Sequence, residues 1–172
     1  MRHVDWNPVT MEEARTGGKI VTYCAAKTYA ERAAWDFVQT QHPNFDLVIL
    51  CPPMVCGPII NSQTIANLNG SNQRLWRLLS GNVKTIKPID DPLWVDVRDL
   101  AQAHLAAYEK KEAGGNRFFI VADEVYSNQD IADIYRKVSS FQVARAEPNM
   151  YTALPGPERQ DSGGKSWRRF RS

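Results

Sequence analysis

The chain has 172 residues, of which 43% are hydrophobic and 23% charged, and its formal net charge is +2. This composition is typical of a globular protein with a substantial core and excludes a fibrous or wholly disordered chain. The small net charge gives no reason to expect nucleic acid or an anionic membrane as the main partner. No apolar run approaches the roughly 20 residues that span a bilayer, and the first residues lack the apolar segment of a secretory signal.

The first part of the chain predicts a loop, a helix and a buried strand, in that order. Turn sequences around Asn7 and Gly17 predict a loop over residues 1–19. Five closely spaced alanines favour a helix over 21–39. The apolar run over 46–51 is typical of a strand that is buried on both faces in a parallel sheet.

After a loop that begins at Pro52, helices and strands continue to alternate. The remaining predicted elements are a helix over 72–79, a strand over 93–97, a helix over 98–110, a strand over 117–122 and a helix over 128–138. Gly81, Asp96 and Ser127 stand where helix caps are expected. His104 lies on the apolar stripe of its helix and is expected to be an interior histidine. The alternation predicts an α/β fold.

The composition changes near the end of the chain. From Pro155 onward glycine, proline and serine are frequent, and five of the last fourteen residues are cationic. Such a segment cannot bury enough apolar surface to offset the entropy cost of ordering. We therefore predict one folded part over residues 1–143 and a disordered tail over 144–172.

Cysteines and histidines give no pattern of a disulfide framework or a metal site. Cys24, Cys51 and Cys56 are an odd number and include no C-x-x-C pair. They favour reduced thiols, and hence a cytoplasmic protein, over a disulfide-bonded secreted one. The three histidines lie far apart in the sequence, so we expect no metal site.

Tyr23 and Lys27 are the sharpest chemical feature of the sequence. Positions four apart lie on one face of a helix, so the phenol and the ammonium can point into one site. Carbonyl reduction needs a proton donor for the oxygen, and a nearby ammonium makes a phenol a stronger acid by stabilising the phenolate. An ordinary surface pair on a helix has the same spacing, so spacing alone leaves both interpretations open.

Four motifs in order resemble the extended short-chain dehydrogenases/reductases of the NAD-dependent epimerase/dehydratase superfamily. Y-C-A-A-K-T-Y-A-E-R-A-A-W-D-F (Tyr23–Phe37) is similar to the active-site helix of that family, and F-D-L-V-I-L-C-P-P-M-V-C-G-P (Phe45–Pro58) to its next strand and loop. W-V-D-V-R-D-L-A-Q-A-H (Trp94–His104) and D-W-N-P (Asp5–Pro8) match two further segments. The branch that these motifs resemble contains fungal methylglyoxal and aldehyde/ketone reductases, relatives of the dihydroflavonol reductases.

The resemblance implies an incomplete Rossmann-like parallel sheet with a small substrate-binding region. It also implies an NADP-dependent enzyme that reduces a small-molecule aldehyde or ketone, with Tyr23 as the proton donor. Lys27 would assist Tyr23 and hydrogen-bond the nicotinamide ribose. Pro52 and Val55 would face the nicotinamide carboxamide, and Ser71 would contact the cofactor.

The sequence also departs from the family pattern. It has no G-x-x-G-x-x-G loop after a first strand, and no counterpart of the catalytic serine before the tyrosine helix. Only 22 residues precede Tyr23, too few for several βα units of about 30 residues each. We therefore expect a C-terminal fragment that binds NADPH weakly and is inactive alone. Two alternatives stay open, a nucleotide-sugar epimerase or dehydratase with the same Tyr/Lys chemistry and a non-catalytic remnant.

Overall fold

The computed structural model describes residues 6–60 and 64–138. Its elements in chain order are α1 (Met11–Thr16), α2 (Lys19–Gln41), β1 (Ile49–Cys51), β2 (Met54–Cys56), α3 (Gly70–Leu79), β3 (Trp94–Asp96), α4 (Val97–Glu109), β4 (Arg117–Phe119) and α5 (Asn128–Val138), with short 3₁₀ turns at Ile65–Asn67 and Lys111–Ala113. Strands and helices alternate and all strand pairs are parallel, so the predicted α/β class is confirmed. The predicted tail over 144–172 lies outside the described residues.

The described residues divide into two compact units. The first comprises 6–51 and 102–120, and the second comprises 52–60, 64–101 and 121–138. In the first unit β1 pairs with β4, and in the second β2 pairs with β3. The parallel direction agrees with the prediction, but the strands form two pairs of three residues per strand rather than one sheet.

The N-terminal segment is helical where the sequence predicted a loop. The Oγ1 atom of Thr10 accepts a hydrogen bond from the Glu13 N–H at 3.2 Å, and the Glu13 carboxylate accepts one from the Thr10 N–H at 2.8 Å. This reciprocal capping box satisfies backbone donors that the start of a helix leaves without partners. The loop prediction over 1–19 was therefore wrong for Met11–Thr16, although T-M-E-E carries the signal for a capped helix.

The central helix is confirmed and is longer than predicted. α2 covers Lys19–Gln41, whereas the alanine content predicted 21–39. The helix ends at His42, whose backbone is left-handed with φ of 45°, directly before Pro43. The Thr22 hydroxyl donates to the Ala14 carbonyl at 2.8 Å and so ties α2 to α1.

The strands are shorter and less buried than predicted. Of the predicted strands over 46–51 and 117–122, the paired parts are Ile49–Cys51 and Arg117–Phe119. All three residues of β1 are partly exposed, so the prediction of a strand buried on both faces was wrong. Full burial of a parallel strand requires neighbours and helices on both sides, and in the described part of the chain β1 pairs with β4 alone. β2, directly after Pro53, was not predicted at all.

A largely buried ion pair joins α2 to β4 in the first unit. Arg117 Nε lies 2.8 Å from Glu31 Oε1, and the two side chains are 19% and 12% exposed. Glu31 Oε1 also accepts a hydrogen bond from Trp35 Nε1 at 3.3 Å. The Trp6 ring lies beside the guanidinium groups of Arg32 and Arg117, with 4.9 and 5.2 Å between Cζ and ring centroid. We call these five residues the Arg117 cluster; it connects the N-terminal segment, α2 and β4.

The second unit is built on α3 and α5. Its buried cluster consists of Leu78, Ile86 and Ala132, and the partly buried residues packed on it are Leu79, Ile131 and Tyr135. The predicted caps are confirmed at both helices. Gly81 follows α3 with φ of 77°, and the Ser127 hydroxyl accepts a hydrogen bond from the Asp130 N–H at 3.0 Å.

Asp96 ends β3 and caps α4, as the sequence predicted. Its Oδ1 atom accepts hydrogen bonds from the Arg98 N–H and from Arg98 Nε, each at 2.8 Å. Arg98 Nη2 lies 2.6 Å from the other carboxylate oxygen. The hydrogen bonds from Arg98, side chain first, lower the pKa of Asp96 to about 2.

Replacing Glu31 should destabilise the chain far more than replacing an exposed carboxylate. Glu31→Ala leaves the Arg117 guanidinium largely buried without its carboxylate, so we expect a loss of about 2–3 kcal/mol in the free energy of unfolding. Asp133→Ala, which breaks the more exposed pair with Arg136, should cost less than about 1 kcal/mol. Urea denaturation followed by circular dichroism measures both. Equal losses of unfolding free energy in the two variants would show that the Glu31–Arg117 pair stabilises the fold no more than the exposed pair does.

The cap at Asp96 should make stability fall at acid pH. The pKa of Asp96 is about 2 in the folded chain and about 3.9 in an unfolded one. The contribution of this carboxylate is therefore present above about pH 4 and is lost as the pH falls towards 2. We expect Asp96→Asn to flatten the dependence of the urea midpoint on pH in that window. Asp90→Asn, at an exposed site, is the control and should keep the wild-type dependence of the urea midpoint on pH. If both variants kept that dependence, the assignment of the acid loss of stability to Asp96 would be wrong.

Candidate functional site

Tyr23 and Lys27 lie side by side on the open face of α2. Tyr23 is 63% exposed, and Lys27 is exposed as well. The Lys27 ammonium lies over the phenol ring, with Nζ 5.7 Å from the ring centroid. Ala25 and Thr28 are buried on the opposite side of the same helix. The structure thus brings together the two residues that the spacing selected.

This arrangement can carry out acid chemistry at an accessible hydroxyl group. A positive charge within about 6 Å of an aromatic ring is attracted to the ring face. Because Tyr23 is exposed, a small molecule can approach its hydroxyl without displacing the core.

The helix that carries this pair is held against β4 further along its length. Glu31 follows Lys27 by four residues and lies one turn along the helix. Its ion pair with Arg117 is one of the contacts that hold α2 in place.

The other predicted contacts with the cofactor lie in the second unit. Pro52 is exposed and lies two residues before the start of β2. Within β2, Met54 and Cys56 are partly buried, whereas Val55 is turned outward and is 37% exposed. Ser71 lies in the first turn of α3, not in a loop, and its hydroxyl donates to Asn69 Oδ1 at 3.4 Å. Val55 and Ser71 therefore belong to different elements.

The end of β2 requires a glycine. Gly57 has φ of 147°, in the region that side chains rarely adopt. A Cβ atom at this position would lie 2.5 Å from Cγ1 of Val97, the first residue of α4. Gly57 thus allows the chain after Val55 to approach α4 closely.

Tyr126 contacts β2, although no pattern in the sequence predicts this contact. Its hydroxyl lies 2.7 Å from Met54 Sδ, and its N–H donates to the Pro92 carbonyl at 3.0 Å. Burial raises the pKa of this phenol above its usual value. The single sequence signal nearby is the capping box that begins at Ser127, and it concerns α5 rather than β2.

His104 is exposed rather than interior, so that prediction was wrong. α4 turns Ala106 into the core and leaves His104 on its outer side. There it lines an open cavity of about 310 Å³ in the first unit. The other lining residues are Asp46, Val48, Leu50, Ala107 and Tyr108. None of the predicted site residues lines this cavity.

The thiols and possible metal ligands add no further site. Cys24, Cys51 and Cys56 are all free. Burial raises the pKa of the Cys51 and Cys56 thiols, which lowers their thiolate content and reactivity. Within residues 6–60 and 64–138 no three His, Cys, Asp or Glu side chains are grouped to hold a metal ion. In those same ranges no helix has the length and apolarity to traverse a bilayer.

Sequence comparison relates the chain to fungal reductases. No family model matches it. A ketoreductase of Aspergillus niger is 43% identical over 147 residues, which cover 84% of this chain and 43% of that protein. The NADPH-dependent methylglyoxal reductase of Saccharomyces cerevisiae is 33% identical over 154 residues, covering 88% of this chain and 43% of that protein. The chain therefore spans about two fifths of the length of these relatives.

Comparison with solved structures gives the same relationship. The yeast methylglyoxal/isovaleraldehyde reductase Gre2 with NADPH superposes with a TM-score of 0.67 and 28% identity, covering 85% of this chain and 44% of the other. Gre2 of Candida albicans with NADPH gives 0.62 and 27%, covering 86% and 44%. The predicted resemblance is confirmed. The chain is therefore a homologue of part of the fungal NADPH-dependent methylglyoxal reductases and ketoreductases, which are enzymes of the short-chain dehydrogenase/reductase type.

Proposed function

We propose that this chain carries the proton-donating residues of an NADPH-dependent enzyme that reduces aldehydes or ketones. The observation that carries the proposal is the exposed Tyr23 hydroxyl group with the Lys27 ammonium 5.7 Å from its ring. The two relatives described above are a ketoreductase and a methylglyoxal reductase. They support carbonyl reduction over the epimerase or dehydratase alternative.

Each unit, taken by itself, offers groups that suit the nicotinamide end of the cofactor. NADPH, when bound, supplies the hydride. The Tyr23 hydroxyl and the Lys27 ammonium are accessible polar groups that can bind a ribose hydroxyl. Pro52 and the outward-facing Val55 offer apolar surface and backbone groups for a nicotinamide ring and its carboxamide. Ser71, at the exposed start of α3, offers a further hydroxyl for a cofactor contact.

The pyrophosphate end finds no matching cradle in the described part of the chain. A phosphate cradle needs glycines that leave open space beside a helix N-terminus. Gly18, the N-cap of α2, and Gly70, the first residue of α3, have open space beside them, but neither belongs to the G-x-x-G-x-x-G spacing after a strand that forms such a cradle. Weak binding of NADPH by the chain alone therefore stays our prediction, and with it the expectation that the chain is inactive by itself.

In the proposed reaction Tyr23 donates its proton to the carbonyl oxygen as that oxygen gains negative charge. The Lys27 charge then stabilises the phenolate until a proton returns from water, which reaches the exposed hydroxyl. Neither step needs a thiol or a metal-binding group. We also propose a cytoplasmic location, supported by the three free cysteines, which suit a reducing compartment.

The role of Tyr23 can be tested in a chimera in which this chain replaces the matching segment of the Saccharomyces cerevisiae methylglyoxal reductase. Tyr23→Phe keeps the ring but removes the donor, so kcat/KM for methylglyoxal should fall by about 10²- to 10⁴-fold. Lys27→Met should lower it in the same direction. The measurement is the rate of NADPH oxidation. Tyr108→Phe, at a 90% exposed tyrosine, is the matched control and should have no effect.

Three outcomes would contradict the proposal. If the Tyr23→Phe chimera keeps its activity, another group donates the proton. If the folded chimera acts on a UDP-sugar but on no carbonyl compound, the epimerase alternative is favoured. If it binds NADPH but turns over neither, the remnant alternative is favoured. Separately, micromolar binding of NADPH to the chain alone, read from nicotinamide fluorescence, would refute the prediction of weak binding.

A further inference from the structure

We infer that Tyr126 is a positioning residue, which holds β2 in the orientation that turns Val55 outward. The inference deepens the proposed function, since it takes Val55 as a contact of the cofactor. β2 is three residues long and pairs with β3 alone in the described part of the chain. A slip of one residue would turn Val55 inward and expose its two neighbours. So short a ladder needs support from outside the strand.

Tyr126 supplies this support through the side chain of Met54. The phenol oxygen and the thioether sulfur are 2.7 Å apart, although 72 positions separate the two residues in sequence. The hydroxyl group is the donor, because a thioether sulfur can only accept. Met54 is thereby held on the inner side of β2. Because side chains alternate along a strand, Val55 must then face outward.

The phenol ring is itself held by structure on both sides. The Tyr126 N–H donates to the Pro92 carbonyl at 3.0 Å, just before β3. The Ala122 N–H donates to the Trp94 carbonyl at 2.8 Å, within β3. The residue after Tyr126 is Ser127, the N-cap of α5. The segment that carries the ring is hydrogen-bonded to β3 and leads directly into α5. The position of the ring is therefore fixed, and its contact with Met54 can hold β2 in place.

The environment of the phenol keeps it in the donating form. The Tyr126 side chain is partly buried, and burial is the main reason why its pKa is raised. A phenol with its ordinary pKa of about 10 already keeps its proton at neutral pH, so the hydroxyl group can donate to the sulfur. Cys56, on the same side of β2 as Met54, is also partly buried. The inner side of β2 is thus packed, while its outer side presents Val55.

Tyr126→Phe removes the hydroxyl group and keeps the ring, so it isolates the contact with Met54. We expect hydrogen exchange at the amides of Met54–Cys56 to become about three- to tenfold faster, the change typical of one lost hydrogen bond. Met54→Leu removes the acceptor at similar volume and should give the same change. The double variant should add little to either single one, because both break the same contact. The matched control is Tyr135→Phe, at the packed tyrosine of α5, which should leave exchange in β2 unchanged.

The second readout is the NADPH affinity of the chimera described above, measured by nicotinamide fluorescence. Tyr126→Phe should weaken it several-fold relative to Tyr135→Phe. Unchanged exchange in β2, equal acceleration in both tyrosine variants, or additive effects of Tyr126→Phe and Met54→Leu would each overturn the positioning role. Equal NADPH affinity in the two tyrosine variants would overturn its link to the cofactor. If the wild-type chimera folds but binds no NADPH, the proposed function fails, while hydrogen exchange still decides the role of Tyr126.

Discussion

The ion pair between Glu31 and Arg117 is a largely buried constraint on α2, the helix that carries the candidate site. This helix has 23 residues, yet only Ala25 and Thr28 are fully buried. So few buried residues form a narrow apolar stripe. A narrow stripe constrains the rotation of a helix about its own axis only weakly. The Glu31–Arg117 pair, which is more than four fifths buried, adds a polar contact between α2 and β4. Together with the Thr22 contact to α1, it holds the helix that carries Tyr23 and Lys27.

Local signals in the sequence were sufficient for the helices and insufficient for the strands. Alanine content, the caps at Asp96 and Ser127 and the glycine at Gly81 each act within one or two turns, so a single sequence contains them in full. The same was true of Thr10 and Glu13, whose capping box was overlooked rather than absent. Strand length, in contrast, is decided by partners distant in sequence. The apolar run over 46–51 shows a tendency to pair, but the ladder with β4 contains only its last three residues.

In the candidate site, too, the part on a helix could be predicted from the sequence and the part on a strand could not. The Tyr/Lys pair could be predicted because a separation of four residues on a helix is itself a spatial relationship. The outward face of Val55 could not, since a strand of three residues has no periodic pattern long enough to reveal its orientation. His104 shows the converse error. Its position on a stripe of Leu100, Ala103 and Ala107 suggested burial, but the inward face of α4 is centred on Ala106.

In both units a side chain outside the recognisable motifs helps to hold an element inside them. Arg117 helps to hold the helix that carries Tyr23, and Tyr126 holds the strand that carries Val55. The motifs supply the chemical groups, whereas these two contacts supply the orientation, which matters because misplacing a reacting group by about 1 Å can cost a hundredfold in rate. A relative that keeps Y-x-x-x-K but replaces the partner of Glu31 would keep the groups and lose one of the contacts that hold them. Resemblance in the motifs is thus evidence for ancestry, and contacts such as Glu31–Arg117 and Tyr126–Met54 are what a working site needs in addition.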